Sequence, residues 1–247
     1  MLTISNKGKL MPESPIRKLV PFAEKAKQKG VKVFHLNIGQ PDIETPPAAI
    51  EAVRNSKIKV LAYSKSEGDI ELRNKICNYY SKLDIKINNS EVIVTSGASE
   101  ALLFTLGSIM DPSEEIIIPE PFYANYNGFS VANGVNITPI FSSIENNFKL
   151  PKIEDFENLI TEKTKGILIC NPNNPTGYVY SRDEIKTLVE IVKKHNLFLI
   201  ADEVYREFTY ENTCHTSILE FSEIQKNAIV IDSVSKRYSM CGARIGC

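Results

Sequence analysis

The fold is decided by one stretch of the sequence, SRDEIKTLVEIVKKHNLFLIAD, residues 181–202. Its first part repeats apolar residues at helical spacing, and Ser181 with Glu184 forms the S-x-x-E capping box that begins a helix. Its second part, LFLIAD (197–202), is a continuous apolar run of strand length. A strand that is apolar on both faces is typical of a parallel sheet covered by helices on both sides. The stretch therefore predicts one helix–strand unit of an α/β protein.

The same alternation of helix and strand extends outward in both directions. Further apolar runs predict strands at VKVFHLN (31–37), EVIVT (91–95), EIIIP (115–119), VNITPI (135–140), GILIC (166–170), AIVIDS (228–233) and ARIGC (243–247). Amphipathic segments predict helices at about 14–30, after 47, and at 69–83, 96–110, 122–132 and 153–160. We therefore expect an α/β fold with a mostly parallel, mixed central sheet that is flanked by helices on both faces.

Composition excludes several classes of protein. The chain has 247 residues, with 29 basic and 30 acidic side chains and a net charge of −1, so no overall field draws it to nucleic acid or to anionic lipid. No apolar run is long enough to span a membrane. The five cysteines lack paired spacing, which favours reduced thiols and a cytoplasmic location. The three histidines show no zinc-ligand spacing, so no metal site is expected.

Two of the predicted strands are followed by segments that could bind a ligand. Small residues from Ser96 to Ser99 open the helix after the strand at 91–95, and they suit either a phosphate site or an ordinary helix start. The turn NPNNPTG (171–177) either aims an asparagine amide into a crevice or forms a surface loop. In an open parallel sheet ligands bind at the carboxyl ends of the strands, so both segments are candidates.

Two further strand ends carry charged residues. Asp202 ends a buried strand, where a carboxylate requires a cationic or hydrogen-bonding partner. Lys236 follows the strand at 228–233, close in sequence to Ser233, Ser235 and Arg244. A lone lysine is usually a solvated surface charge, but four successive strand ends that carry chemistry at matching positions argue for one shared site.

The ligand that suits this set is pyridoxal phosphate. The sequence has neither the G-x-G of a dinucleotide fingerprint nor the G-x4-G-K-[ST] of a phosphate-binding loop. Pyridoxal phosphate needs a site for its phosphate, an anion for its pyridine nitrogen, donors for its 3-oxygen and an amine for its aldehyde.

Several motifs together resemble the class I/II aminotransferases of fold type I. They are LNIGQPDIETP (36–46), TSGASEAL (95–102), NPNNPTG (171–177), DEVY (202–205) and SVSKRYSMCGARIG (233–246), with Tyr63, Gly68 and Leu72-Arg73 matching further positions. The resemblance runs from about residue 14 to the end, and it is closest to the aspartate and aromatic aminotransferases of bacteria.

The resemblance implies roles for individual residues. Lys236 would form the Schiff base (aldimine) with the cofactor, and Asp202 would pair with the pyridine nitrogen. Tyr205 and Asn174 would bind the 3-oxygen, and Tyr123 would stack on the ring unless it is an ordinary core aromatic.

The resemblance also implies how the phosphate and the substrate are bound. The phosphate would be held by Ala98 and Ser99, by Ser233 or Ser235, and by Arg244. Tyr63 would reach the phosphate of a neighbouring subunit, which implies a homodimer. Gly39 would let the backbone approach the substrate carboxylate, and Asn174 would also bind the substrate.

The implied reaction is transfer of an amino group from an L-amino acid, with aspartate as first candidate and aromatic amino acids as second, to a 2-oxo acid in a ping-pong sequence. Three alternatives stay open: a pyridoxal-phosphate lyase of the carbon–sulfur β-lyase type, an inactive cofactor-binding fragment, and a cofactor-sensing regulatory domain.

The resemblance finally divides the chain. Residues 1–45 would form an N-terminal arm and part of a small domain, and residues 46–247 the large cofactor-binding domain. Because the sequence ends at Cys247 inside an apparent strand, we expect that a C-terminal small domain is missing.

Overall fold

The computed structural model describes residues 2–247 as helices packed around one sheet. The α-helices are α1 (Asn6–Leu10), α2 (Val20–Gln28), α3 (Pro47–Arg54), α4 (Ile70–Ser81), α5 (Ala98–Ile109), α6 (Asn125–Asn133), α7 (Ile153–Glu157), α8 (Arg182–His195) and α9 (Val234–Arg237). The strands are β1 (Glu115–Glu120), β2 (Asn136–Phe141), β3 (Thr164–Cys170), β4 (Phe198–Asp202) and β5 (Ala228–Ile231). Within these residues, no helix has the length and apolar character that crossing a membrane requires.

The strands form a single sheet in the order β2-β1-β3-β4-β5, and every neighbouring pair is parallel. The register aligns the carboxyl ends of the central strands, because Cys170 lies opposite Asp202 and Asp202 lies opposite Ile231. The expected α/β class with a mostly parallel sheet is confirmed.

Each face of the sheet has its own hydrophobic core. On one face Ile117, Ile167 and Leu199 pack against side chains of α7 and α8. On the other face Leu168 and Ile200 pack against side chains of α5 and α6. Because successive strand residues point to opposite faces, both sets must be apolar. Fully burying one such side chain contributes about 1.5–3 kcal/mol, so the two cores fix the sheet and with it the strand ends.

Helix α8 begins as the sequence predicted. Ser181 Oγ accepts a hydrogen bond from Glu184 N (3.3 Å), and Glu184 Oε2 accepts one from Ser181 N (2.8 Å). The helix ends at His195, and the residue that caps it, Asn196, has a left-handed φ of 51°. This cap sets the direction in which the chain enters β4.

Three of the predicted strands are not formed as strands. Residues 31–37 contain no strand, and residues 91–95 and 243–247 are reduced to isolated antiparallel bridges from Gly246 to Thr95 and Ser233. An apolar run predicts extended backbone, but a strand also needs a neighbouring backbone to complete its ladder. Among residues 2–247 no backbone pairs with residues 31–37 in a ladder, and Phe34 and Leu36 are exposed.

Candidate active site

A cavity of about 400 Å³ lies at the carboxyl ends of β3, β4 and β5. All but one of the site residues that the sequence predicted line it, namely Gly39, Ala98, Ser99, Tyr123, Asn174, Asp202, Tyr205, Ser233, Ser235, Lys236 and Arg244. The exception is Tyr63, whose side chain is fully exposed. Residues from the ends of three parallel strands are thus brought together with the start of α5, which follows the bridge at Thr95.

The amine of Lys236 points into this cavity from the short helix α9. Ser233 caps the helix by accepting a hydrogen bond from Ser235 N (3.3 Å). Lys236 Nζ donates to the carbonyl oxygen of Gly39 (2.6 Å) and lies 5.7 Å from the centre of the Tyr205 ring. The amine is therefore held between the end of the sheet and the N-terminal part of the chain.

Asp202 supplies the buried negative charge of the cavity. Its side chain accepts a hydrogen bond from Tyr126 Oη at Oδ2 (2.8 Å) and a longer one from Val204 N at Oδ1 (3.4 Å). The residue is only 4% exposed, and burial raises the pKa of its carboxyl group to about 6, against the two hydrogen bonds that lower it. A carboxylate in this setting gains from a cationic or N–H partner in the cavity.

Tyr126 is a site residue that the sequence analysis missed. It lies on α6, is fully buried, and packs edge-on against Tyr123 with 5.4 Å between the ring centres. The sequence did contain a signal. Tyr123 and Tyr126 lie three residues apart in the predicted helix at 122–132, and this spacing places two side chains on the same face of a helix. Burial raises the pKa of Tyr126, so its hydroxyl stays a proton donor to Asp202.

One end of the cavity is built to bind an anion. Helix α5 begins at Ala98, and the N–H groups of a helix's first turn have no partners within the helix. Arg244 lies across this helix start and donates from Nη2 to the carbonyl oxygen of Ser96 (3.2 Å). A Cβ on Gly97 would come within 2.2 Å of the same guanidinium nitrogen. The close approach of Arg244 therefore depends on glycine at position 97.

The opposite wall comes from the N-terminal segment, of which the sequence analysis predicted only Gly39. Ile16, Arg17, Asn37 and Gln40 line the cavity there, and Asn37 Nδ2 ties the segment together by donating to the carbonyl oxygen of Ile16 (3.0 Å). Arg17 adds a further cation. Nothing in the sequence spacing links residues 14–17 to the strand ends.

A sequence model of the family described as "Aminotransferase class I and II" matches residues 31–247. The chain belongs to this family. Membership of the class I and II aminotransferases implies pyridoxal phosphate as the cofactor.

Individual aminotransferases are similar over most of the chain. An aspartate aminotransferase of Thermotoga maritima is 37% identical over 239 residues, which are 95% of this chain and 63% of that protein. An aspartate aminotransferase of Bacillus subtilis is 36% identical over 227 residues, 91% of this chain and 58% of that protein. The crystal structure of the Thermotoga maritima enzyme superposes with a TM-score of 0.92 at 35% identity, covering 98% of this chain and 65% of that one.

The chain thus spans less than two thirds of the length of these relatives. Among residues 2–247, no group of three or more histidine, cysteine, aspartate or glutamate side chains is placed to hold a metal ion.

Proposed function

We propose that this chain carries the cofactor site of a pyridoxal-phosphate-dependent aminotransferase, which moves an amino group between an L-amino acid and a 2-oxo acid. One observation carries the proposal: the amine of Lys236 and the carboxyl group of Asp202 line the same cavity, with anion-binding groups at one end of it.

The residues of the cavity fit pyridoxal phosphate. A volume of about 400 Å³ lies within the range of small-molecule sites. The start of α5, Arg244 and the hydroxyls of Ser233 and Ser235 suit the phosphate, while Asp202 suits the pyridine nitrogen and Lys236 the aldehyde. When bound, this cofactor supplies an electron sink for the α-carbon of an amino acid.

The residues of the chain would supply binding, orientation and proton transfer. The amine of Lys236 would accept and donate the proton that moves in the reaction. The carbonyl oxygen of Gly39, which accepts a hydrogen bond from Nζ, would orient this amine. Tyr126 keeps the Asp202 carboxylate directed into the cavity. The hydroxyl of Tyr205 and the amide of Asn174 are donors on the cavity wall, and Tyr123 offers an aromatic face.

Aspartate is the first candidate for the amino-acid substrate, and aromatic amino acids are the second. The two relatives described above are named aspartate aminotransferases, which supports this order. Addition of single amino acids to the cofactor-loaded protein tests it, since the preferred substrate should change the visible absorbance of the cofactor fastest in a single turnover.

Covalent trapping tests the cofactor site. Borohydride reduces the C=N bond between an aldehyde and an amine to a stable secondary amine, so pyridoxal phosphate should be recovered on the peptide that contains Lys236. Lys236→Ala should lose this mass increment, and the exposed Lys226→Ala should keep it. Equal trapping by Lys236→Ala and the parent would overturn the proposal.

Steady-state kinetics distinguish the transferase from a lyase. Ping-pong kinetics with 2-oxoglutarate as acceptor is the expected result for an aminotransferase. Release of pyruvate and ammonia without any acceptor would instead identify a carbon–sulfur β-lyase.

A further inference from the structure

We propose that a buried ionic chain behind the cavity positions Lys236 and Asp202 relative to each other. The chain consists of Arg237, Asp232, Tyr80, Arg206 and Glu203, and none of the five lines the cavity. The inference rests on the proposed function and assigns positioning residues to the same site.

The first end of the buried ionic chain brackets Lys236. Arg237 Nη2 donates to both carboxylate oxygens of Asp232, at 3.0 Å and 2.9 Å. Asp232 Oδ1 also accepts from Ser233 N at 2.7 Å, and Asp232 is 3% exposed. The ion pair thus closes a loop from residue 232 to residue 237, and Lys236 lies inside that loop. Its backbone cannot shift without disturbing a buried, charge-assisted contact.

The middle of the buried ionic chain is Tyr80, which lies on α4 in a distant part of the sequence. Its hydroxyl donates to Asp232 Oδ2 (3.3 Å) and accepts from Arg206 Nη2 (3.0 Å). The guanidinium of Arg206 also lies 4.5 Å from the centre of the Tyr80 ring. One buried side chain therefore contacts the segments that carry both site residues.

The second end of the buried ionic chain lies next to Asp202. Arg206 Nη2 donates to Glu203 Oε2, and Glu203 Oε1 accepts from Ser217 Oγ (3.0 Å) and from Ile218 N (3.2 Å). Glu203 is fully buried. It directly follows Asp202, so one carboxyl group lines the cavity while its neighbour anchors the backbone behind it.

The charges of this group favour positioning over simple stabilisation. Arg237 and Arg206 pair with Asp232 and Glu203, and the exposed Glu207 lies 3.3 Å from Arg237 Nε at the edge of the group. Placing such ions in the interior is often no more stabilising than placing apolar side chains of the same volume there. Hydrogen-bonded ion pairs do fix the orientation of the groups that they join. Each end of the buried ionic chain is adjacent in sequence to a residue of the site. Groups that act in catalysis need such support behind them to hold their geometry.

The test compares two variants with one control. Arg237→Met removes one partner of the ion pair and leaves Asp232 as an unpaired buried charge, which threatens folding. The double variant Asp232→Asn/Arg237→Met removes both charges and should fold. The control is Arg182→Met, since Arg182 likewise pairs with a carboxylate, Glu220, and lies over an aromatic ring, 5.0 Å from the centre of Phe221, but is remote from the cavity.

We expect the folded double variant to bind pyridoxal phosphate at least tenfold more weakly than the parent and to show a displaced visible absorbance band. The single variant Arg237→Lys keeps a cation at this position and should retain part of the parent's affinity and absorbance. The control Arg182→Met should change neither the affinity nor the absorbance. A folded double variant with affinity and absorbance within twofold of the parent overturns the proposal.

Amide hydrogen exchange of the cofactor-free protein keeps the test independent of the proposed function. The double variant should exchange faster at residues 202–206, on the neighbouring strand end, as well as at 232–238. Faster exchange at 232–238 alone also overturns the proposal. If the parent fails to trap the cofactor on Lys236, the proposed function fails, while the exchange result still decides the positioning role.

Discussion

Asp202 is buried for the benefit of a ligand rather than of the fold. Without a partner in the cavity its charge is stabilised by hydrogen bonds from the hydroxyl of Tyr126 and the amide of Val204, and by the charge of Lys236. Burial nevertheless raises the pKa of its carboxyl group from 3.8 to about 6. A raised pKa means that the folded protein binds this proton more tightly than the unfolded chain does.

The sign of the resulting pH dependence follows directly. The proton on Asp202 contributes to the free energy of unfolding. This contribution is fully present below about pH 4 and is lost as the pH rises through about 6. Asp202→Asn should therefore stabilise the cofactor-free protein by on the order of 1–3 kcal/mol at pH 8, with a difference that shrinks towards pH 4. The same change should weaken the binding of pyridoxal phosphate. Urea unfolding from pH 4 to 8 measures the first effect, and a variant less stable than the parent at pH 8 would contradict it.

The sequence predicted site residues where a strand end marks them, and it missed those that depend on packing. Asp202 and Lys236 could be found because each follows an apolar run that ends at the same edge of the sheet. Tyr80 and Asp232 are 152 residues apart, and their hydrogen bond depends on the tertiary fold, which brings α4 to the segment after β5. No local pattern encodes a contact of that kind.

At the scale of elements, the start of α5 depends on an unusual backbone conformation. Gly97 has φ 78° and ψ 168°, a region that is essentially restricted to glycine. This conformation turns the chain from the extended segment before Thr95 into the helix and leaves room for Arg244. The helix start and the arginine then form a single anion-binding group.

A pair of alanine substitutions separates backbone strain from steric conflict. Gly30 also has positive φ (+77°), but nothing lies within 4 Å of the position of an added Cβ. Gly30→Ala should cost about 1–2 kcal/mol of stability through the backbone alone. Gly97→Ala should cost more and should also weaken pyridoxal phosphate binding, because the new methyl group displaces Arg244. Urea unfolding and cofactor titration test both variants; equal losses from the two substitutions, with unchanged cofactor affinity, would argue against this reading.

The prediction of strands from sequence succeeded where a parallel neighbour completes the ladder, for the fully buried runs and also for the more exposed run at 135–140. The runs at 115–119, 166–170 and 197–202 are buried on both faces, and all three form strands. The run at 31–37 has similar residue types but is exposed at Phe34 and Leu36. The residue types indicate that a segment is suited to a strand. The strand forms only if a neighbouring backbone pairs with it.

At the scale of the whole molecule, the exposed apolar side chains concentrate in the first 63 residues. Leu36 and Leu61 are each 94% exposed, and Tyr63 is fully exposed. Apolar surface of this extent is typical of an interface between proteins. We propose that residues 1–45 form an N-terminal arm and part of a small domain, and that two copies of the protein associate, with Tyr63 reaching the neighbouring site.

Association through this surface can be tested with single charges. Leu61→Glu should shift the protein from dimer to monomer in sedimentation, because a carboxylate resists burial in an apolar interface. Ile144→Glu, at an exposed apolar position away from the N-terminal segment, should leave the dimer intact. A parent protein that sediments as a monomer at micromolar concentration would rule out the homodimer.

The two walls of the cavity differ in how freely they can change. One wall consists of strand ends fixed by both hydrophobic cores, whereas the other contains Ile16, Arg17 and Gln40, which belong to neither core. Substitutions in the second wall can reshape the entrance without unfolding the sheet. Mutational tolerance is therefore concentrated where an incoming molecule would be selected, so that new specificities can evolve on a scaffold whose chemistry stays the same.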